Sequence, residues 1–419
     1  MRFAGRVWRH FMQDSLYRNS MYLLLNTAVT ALAGFLFWAV ATRFYNAEDV
    51  GYATALFGAL GLATSLSSLG MGRTIIRFLG GSQTQARDVV TKLALVALGS
   101  FAIGVILSFF LGSFGIEHPT PNLAVIFVAT VLLVSVKMLF DNVFIALKSA
   151  AGTLAENVVF SVAKLIFPVL SVAFGFMGIF TAQLAAAVLA VLVSVWLLRR
   201  KHGYRFRVRP SKASLRGKWT FAFGSYTSDI IGSLPANILP IIVVAKLGPV
   251  SGALWYIAML MITMLLAVSS AINQAMFAEI SNTTGSIWKF VTKASRAMYG
   301  LVTPLAVGIA IFAPFMLSLF GEQYADAAPA LRIMSLFALI GVANYITGSI
   351  LAYYKKVMYL TLVNAVNAAI VGAYCLLFAT DLNGIVVGWV LGEVANVILF
   401  VGGCVYVVKR QARTGVEAA

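Results

Sequence analysis

The chain has few charged residues, little histidine and almost no cysteine. Of its 419 residues 11% are charged and 61% are hydrophobic, whereas soluble domains are about 25% charged and about 45–50% apolar. This composition excludes a soluble protein. Cys375 and Cys404 both lie in apolar runs, which excludes a disulfide framework or a metal cluster. His10, His118 and His202 lie outside those runs and no P-loop or nucleophile elbow is present, so we expect neither an enzyme nor ATP hydrolysis.

Twelve apolar runs occupy most of the chain, and each is near or above the ~20 residues that a helix needs to cross a bilayer. None alternates with a period of two, as a membrane β-strand would. We therefore predict an all-α polytopic membrane protein with about twelve transmembrane helices, the first of them an uncleaved span rather than a signal peptide. The runs are Met21–Thr42, Gly51–Leu69, Val89–Leu111, Leu123–Leu147, Asn157–Phe176, Ile179–Leu198, Trp219–Ala245, Gly252–Ile272, Phe290–Leu319, Ala330–Tyr353, Met358–Ala379 and Gly384–Val408.

Positive charge is in excess and is distributed unevenly. The chain has 31 Lys and Arg against 14 Asp and Glu, a net charge of +17. Most of the basic residues fall in alternate loops, which predicts that these loops and both termini are cytoplasmic, in an inner membrane. The loop Arg199–Lys218 holds nine of them. We interpret it as a segment that contacts anionic phospholipids rather than RNA, so no nucleic-acid partner is expected.

The two halves of the sequence resemble each other. Tyr22 precedes Tyr226 by 204 positions, and Tyr52 precedes Tyr256 by the same interval. The alternative is that any two apolar helices look alike. Duplication predicts two six-helix lobes related by a parallel pseudo-two-fold, the usual organisation of alternating-access transporters. The predicted domains are an N-lobe (1–200), a basic cytoplasmic connector (201–218) and a C-lobe with a short cytoplasmic tail (219–419).

Three stretches then resemble a known family. They are residues 17–22 with 41–52 (ATRFYNAEDVGY), residues 68–77 (SLGMGRTIIR), and residues 146–152 (ALKSAAG), which are echoed at 351–356. The chain resembles the polysaccharide transport family, the Wzx-type oligosaccharide or lipopolysaccharide (O-antigen) flippases of the multidrug/oligosaccharidyl-lipid/polysaccharide (MOP) superfamily. The resemblance implies a bilobed bundle that opens alternately to each side, and a lipid-linked glycan as substrate, usually on undecaprenyl diphosphate.

An ionisable side chain inside a membrane span costs free energy, so its presence there indicates a function. Asp229, Asn367 and Glu393 are predicted at mid-depth, and Asn364 lies one turn from Asn367. Carboxylate and amide oxygens suit a cation or a proton, and related lipid II flippases and sodium-coupled exporters use such groups on these spans. We expect no cofactor other than Na⁺ or H⁺ as a coupling ion. The alternative is that Asp229 bonds hydroxyl groups of its own helix and that Glu393 pairs elsewhere.

Basic residues near the predicted inner face form a candidate site for the diphosphate. Arginine offers bidentate geometry to phosphate and lysine a point charge. The alternative is that these residues set the topology and contact anionic lipid. Lys137 also lies four residues before Asp141, within reach of a local pair. The candidates are Arg18, Arg73, Arg77, Lys137 and Lys164.

Arg43, at the predicted outer end of the first span, precedes the acids Glu48 and Asp49. It forms either a loop salt bridge or a phosphate contact on the outer side. Pro235 and Pro240 lie within the seventh span. Each removes a backbone hydrogen bond, so the kink is either a gating point or static.

These features predict a flippase for a lipid-linked oligosaccharide in cell-surface polysaccharide assembly. The alternatives are a cation-coupled multidrug exporter, a lipid II flippase, and a membrane scaffold for glycan assembly. Lipid II flippases typically carry basic residues within the first, second and eighth spans, and here the second and eighth have none, which favours another glycolipid. The expected partners are the lipid-linked oligosaccharide, anionic phospholipids, and a glycan polymerase or glycosyltransferases.

Overall fold

The computed structural model describes residues 15–79, 85–116, 119–204, 219–281 and 286–414, and within these ranges it contains helices and no β-strand. Twelve of the α-helices there are long and apolar enough to cross a membrane. Large apolar side chains are exposed along them, for example Leu24 (71%) and Met358 (77%), as expected for surfaces that face lipid rather than water. The chain is therefore a multi-pass membrane protein, and the predicted all-α polytopic fold class is confirmed.

The helices of these ranges are numbered in chain order. They are α1 (Ser15–Phe44), α2 (Ala47–Ser67), α3 (Met71–Phe78), α4 (Gln85–Ser108), α5 (Pro121–Ala146), α6 (Ala150–Leu170), α7 (Phe176–His202), α8 (Trp219–Leu247), α9 (Pro249–Ser281), α10 (Trp288–Ser318), α11 (Ala328–Tyr353), α12 (Val357–Leu377) and α13 (Leu382–Thr414).

The short helix α3 was not among the predicted runs. It is amphipathic: Met71 and Ile75 are buried, whereas Arg73 and Arg77 are exposed. Its buried side chains join a core cluster with residues of α5 and α7, including Phe144. The arginines keep its mean hydropathy low, which is why apolar runs alone do not reveal it.

The chain divides into two compact units, Met1–Ile230 and Ile231–Ala419. The first turns of α8 therefore pack with the N-terminal unit, although the sequence places residue 219 at the start of the C-lobe. Most of the predicted connector 201–218 lies outside the described residues, and the predicted domain boundaries stay predictions.

Residues 41–52, one of the stretches that resemble the family, form the corner between α1 and α2 in the N-terminal unit. The Asn46 side chain caps α2 by accepting from the Asp49 N–H at 2.7 Å. Asp49 in turn accepts from the Phe176 N–H at 2.8 Å, which caps the first turn of α7. The Tyr45 hydroxyl donates to the Pro168 carbonyl at 2.6 Å, and its burial raises the pKa of Tyr45. These residues join the α1–α2 corner to the α6–α7 corner.

The turns α5–α6 and α11–α12 have the same geometry. Lys148 and Lys355 are both left-handed, with φ of 54° and 58°. In the first turn the Ser149 N–H donates to the Phe144 carbonyl at 2.9 Å, and in the second the Lys356 N–H donates to the Leu351 carbonyl at 2.9 Å. Both follow the Schellman pattern that closes a helix. The shared turn supports the internal duplication indicated by the sequence.

Candidate functional site

Arg73 and Asp229, assigned by sequence to different roles, form an ion pair in the N-terminal unit. Their side chains remain 58% and 42% exposed. Two further contacts place α8 beside α3: the Tyr226 hydroxyl donates to the Leu66 carbonyl at 2.7 Å, and Gly70 approaches the backbone of Ala222. A Cβ on Gly70 would lie 2.2 Å from the Ala222 oxygen, and its φ of +67° also requires glycine.

Ala222, Tyr226 and Asp229 are spaced by four and three residues, so they lie on one face of α8. That face meets the end of α2 and the start of α3. The ion pair lies at the edge of this contact, where both partners remain exposed. An exposed pair contributes little to stability, about 0–1 kcal/mol, so its charges are available to other groups at small cost.

The remaining arginine candidates are placed as follows. Arg77 is exposed on α3, with its guanidinium 5.4 Å from the ring centre of Phe78. Arg43 is exposed at the end of α1. Arg18 lies on α1, but its side chain falls outside the described set. The predicted grouping of these arginines around a diphosphate stays a prediction.

Lys164 lies in an aromatic cage. Its ammonium is 4.2 Å from the ring centre of Phe37 on α1 and 4.9 Å from that of Phe57 on α2. The side chain is half-buried, and it makes no hydrogen bond or ion pair with the residues that the structure describes. Trp38 packs edge-on against both rings. Three spans therefore place one cation over aromatic faces, an attraction of about 0.5–2 kcal/mol per ring.

The depth predicted for Lys164 is corrected by the helix bounds. The sequence placed the start of this span at Asn157, which put Lys164 about 11 Å from the inner end. Helix α6 begins seven residues earlier, at Ala150. At 1.5 Å per residue Lys164 is then about 21 Å along the helix. The hydropathy pattern missed the first two turns of this helix because Gly152, Thr153 and Glu156 interrupt the apolar run there.

Lys137 is the centre of a polar cluster between α5 and α6. Its ammonium donates to the Asp141 carboxylate at 2.6 Å, as the i,i+4 spacing predicts, and to the Asn157 side-chain oxygen at 2.5 Å. The Asn157 amide donates back to Asp141 at 2.9 Å. The ring of Phe160 lies 5.1 Å from the ammonium. Glu156, which the sequence analysis missed, is fully buried beside this group.

The other predicted coupling residues lie in the C-terminal unit. The Glu393 carboxylate accepts from the Asn344 amide at 2.6 Å. Asn367 is buried against Gly392, where a Cβ would lie 3.1 Å from its Nδ2. Asn364 is half-buried on α12. Asp229 belongs to the N-terminal unit, and the assignment of these four residues to one ion site stays a prediction.

Two cavities adjoin the prolines of α8. One, of about 310 Å³, lies between α8 and α12 and is lined by Pro235, Leu239, Ala368 and Gly372 among other apolar groups. The other, of about 260 Å³, lies between α8 and α9 and is lined by Pro235, Pro240 and Trp255 among others. Pro235 therefore borders open space on two sides of its helix.

Comparisons with known proteins agree with this architecture. An inward-facing multidrug transporter of the MATE family matches at a TM-score of 0.67 and 17% identity, covering 93% of this chain and 96% of that one. The lipid II flippase MurJ, in an inward closed conformation, matches at 0.71 and 11%, covering 90% and 86%. A MOP superfamily transporter from Pyrococcus furiosus, described as having a binding pocket of reverse polarity, matches at 0.59 and 16%, covering 96% of each chain. A search of curated proteins gives no match.

These solved structures show that the chain has the fold of MATE-family transporters and of the lipid II flippase MurJ. The family model for polysaccharide biosynthesis proteins matches residues 16–284, well over half of the chain. The chain belongs to that family, as the sequence resemblance predicts. The solved structures named above are of transporters and of a flippase, and the expectation that this chain is not an enzyme stays a prediction.

Proposed function

We propose that this protein flips a lipid-linked oligosaccharide, carried on a polyprenyl diphosphate, across the inner membrane by alternating access. The proposal includes cytoplasmic termini and a role in cell-surface polysaccharide assembly. Its family membership supports transport in polysaccharide biosynthesis. The charges within the spans favour an anionic substrate.

The observation that carries the proposal is the aromatic cage around Lys164. An ammonium inside a span without a carboxylate partner favours an anionic ligand, since a phosphate supplies the missing charge. Arg73 and Arg77 present exposed guanidinium groups for the same chemistry. A cationic drug would be repelled by Lys164, which disfavours the multidrug-exporter alternative.

In this proposal Asp229 competes with the substrate for Arg73. A diphosphate carries about two negative charges and accepts bidentate hydrogen bonds from arginine. Release of Arg73 from Asp229 would free the carboxylate at the same time as the substrate binds. Na⁺ or H⁺ as coupling ion at Asp229, Asn364, Asn367 and Glu393 belongs to the same proposal, as do contacts with anionic phospholipids and with a glycan polymerase or glycosyltransferases.

The test is deletion of the gene followed by analysis of lipid-linked glycans on each leaflet. We expect a polyprenyl-diphosphate glycan to accumulate on the cytoplasmic leaflet and to clear when the wild-type protein is restored. Lys164→Gln should restore export at least tenfold less well, and Lys164→Arg should restore most of it. Lys289→Gln, which removes an exposed lysine, is the matched control. An unchanged distribution of lipid-linked glycans after deletion would refute the proposal.

A further inference from the structure

We propose that the N-terminal unit contains a proton-binding site at Glu156, separate from the residues predicted for ion coupling. The site consists of Glu156 together with Lys137, Asp141 and Asn157. It lies between α5 and α6, and Glu156 and Asn157 lie at the end of the second turn of α6. The inference depends on the transporter class of the protein and not on the chemistry of its substrate.

The charged groups of the cluster do not balance one another. The cluster has one ammonium, on Lys137, and two carboxylates, on Asp141 and Glu156. Glu156 is 0% exposed, and neither of its oxygens makes a hydrogen bond within the part of the chain that the structure describes. An uncompensated buried charge is very costly. One added proton makes the cluster neutral.

The hydrogen bonds of the cluster favour a proton over a metal ion. Both Asp141 oxygens accept hydrogen bonds, from Lys137 and from Asn157, and the Asn157 oxygen accepts from Lys137. Only the two oxygens of Glu156 remain. A hard cation such as Ca²⁺ takes about six to eight oxygen ligands, and the Lys137 ammonium would repel it. A proton needs one oxygen.

The groups that face Glu156 come from three helices. From α5, Asp141 and Lys137 act on it electrostatically, with opposite signs. From α7 the Ser194 hydroxyl lies near Glu156 and favours its charged form, but it donates its hydrogen bond to the Ala190 carbonyl at 2.9 Å. Helix α1 also packs against α6 and has no charged residue from Met21 to Thr42, with Tyr22 as its titratable group there.

Asp141 is the most exposed charged group of the cluster. Its side chain is 21% exposed, whereas that of Lys137 is 8% exposed and Glu156 is fully enclosed. In this proposal a proton enters through Asp141, the most exposed of the three charged groups, and an O–H bond then forms on one Glu156 oxygen. No oxidant or other reactant is required. A site that gains and releases a proton lets this unit respond to a proton gradient.

Infrared spectroscopy of the purified full-length protein in lipid micelles tests the inference. We expect the absorption of a protonated carboxyl group at neutral pH in the wild type, and its loss in Glu156→Gln. Asp141→Asn should also remove the signal, because Lys137 then balances Glu156 without a proton. The control Glu322→Gln, which changes an exposed acid, should leave it unchanged. If Glu156→Gln does not fold, Asp141→Asn carries the test.

Thermal unfolding provides the second readout. Ionisation of Glu156 leaves the cluster with a net negative charge, so the melting temperature of the wild type should fall by several degrees as the pH rises from neutral to alkaline. Glu156→Gln should show a flatter profile. A protonated-carboxyl signal that survives in Glu156→Gln would overturn the inference. So would stabilisation by Na⁺ of the wild type but not of Glu156→Gln, because a metal ion would then occupy the site.

Discussion

The two units have polar centres at matching positions of their helices but with different charges. Lys137 lies nine positions before the end of α5, and Asn344 lies nine positions before the end of α11. Asn157 and Asn364 both lie seven positions after the first residue of α6 and α12. The matching positions follow from the duplicated chain, as do the left-handed turns at Lys148 and Lys355.

The partners at these positions differ. Lys137 bonds to Asp141 of its own helix and to Asn157 of the next, whereas Asn344 bonds to Glu393 on α13. The position equivalent to Asp141 is Gly348. The repeat thus preserves the backbone while the side chains have diverged. In the N-terminal unit the ammonium of Lys137 compensates the carboxylates, whereas in the C-terminal unit the neutral amide of Asn344 bonds to the single carboxylate of Glu393.

The largest expected effect is from Lys137→Met. Loss of the ammonium leaves Asp141 and Glu156 buried without a positive charge, so the free energy of unfolding should fall by about 3–5 kcal/mol. Equilibrium unfolding in lipid micelles measures the change. The loss should shrink at acidic pH, where protons neutralise the carboxylates. Lys289→Met, at an exposed lysine, should change stability by less than ~0.5 kcal/mol, and an equal loss in both variants would contradict the comparison.

Asn344→Leu should have an intermediate effect. It removes the amide that donates to Glu393 and leaves a buried carboxylate without this donor, at a cost of about 1–3 kcal/mol. The same unfolding assay measures it. Asn364→Leu is the matched control because Asn364 is half-buried and makes no hydrogen bond with the described residues. A larger loss for Asn344→Leu than for Lys137→Met would reverse the order of the two centres.

The smallest effects are expected at the two turns. Lysine bears a steric cost of about 1–2 kcal/mol at a left-handed φ, and glycine avoids it but loses about 0.5–1 kcal/mol more conformational entropy on folding. Lys148→Gly and Lys355→Gly should therefore each raise the free energy of unfolding by about 0.5–1 kcal/mol. Lys356→Gly, where φ is −89°, should give no gain. If the two variants changed the free energy of unfolding by different amounts, the two turns would share their backbone geometry but not their energetic cost.

The parts of the fold that depend on a single property of the sequence were predictable. Length and hydropathy are sufficient to locate a helix that crosses a bilayer, so twelve spans follow from the sequence. The pair Lys137–Asp141 was also predictable, because the two residues share a turn of one helix. Helix α3 was not, since its arginines lower the hydropathy while Met71 and Ile75 provide the buried face.

The site was harder to predict because its contacts join distant residues. No local pattern links Arg73 to Asp229, which are 156 positions apart. Glu156 was missed because it lies one residue before the predicted start of its span, in a polar turn that is nevertheless helical. The cage around Lys164 combines α1, α2 and α6, so it exists only once those helices pack.

The cavities beside Pro235 affect the mechanics of α8. A helix that bends must displace whatever fills the space around it, and in a close-packed interior that displacement costs dispersion contacts. Pro235 combines a missing backbone hydrogen bond with open volume on its α9 side and its α12 side. Bending of α8 at Pro235 toward either cavity would therefore displace few packed side chains, so the volume beside this residue lowers the cost of a gating motion if the kink is not static.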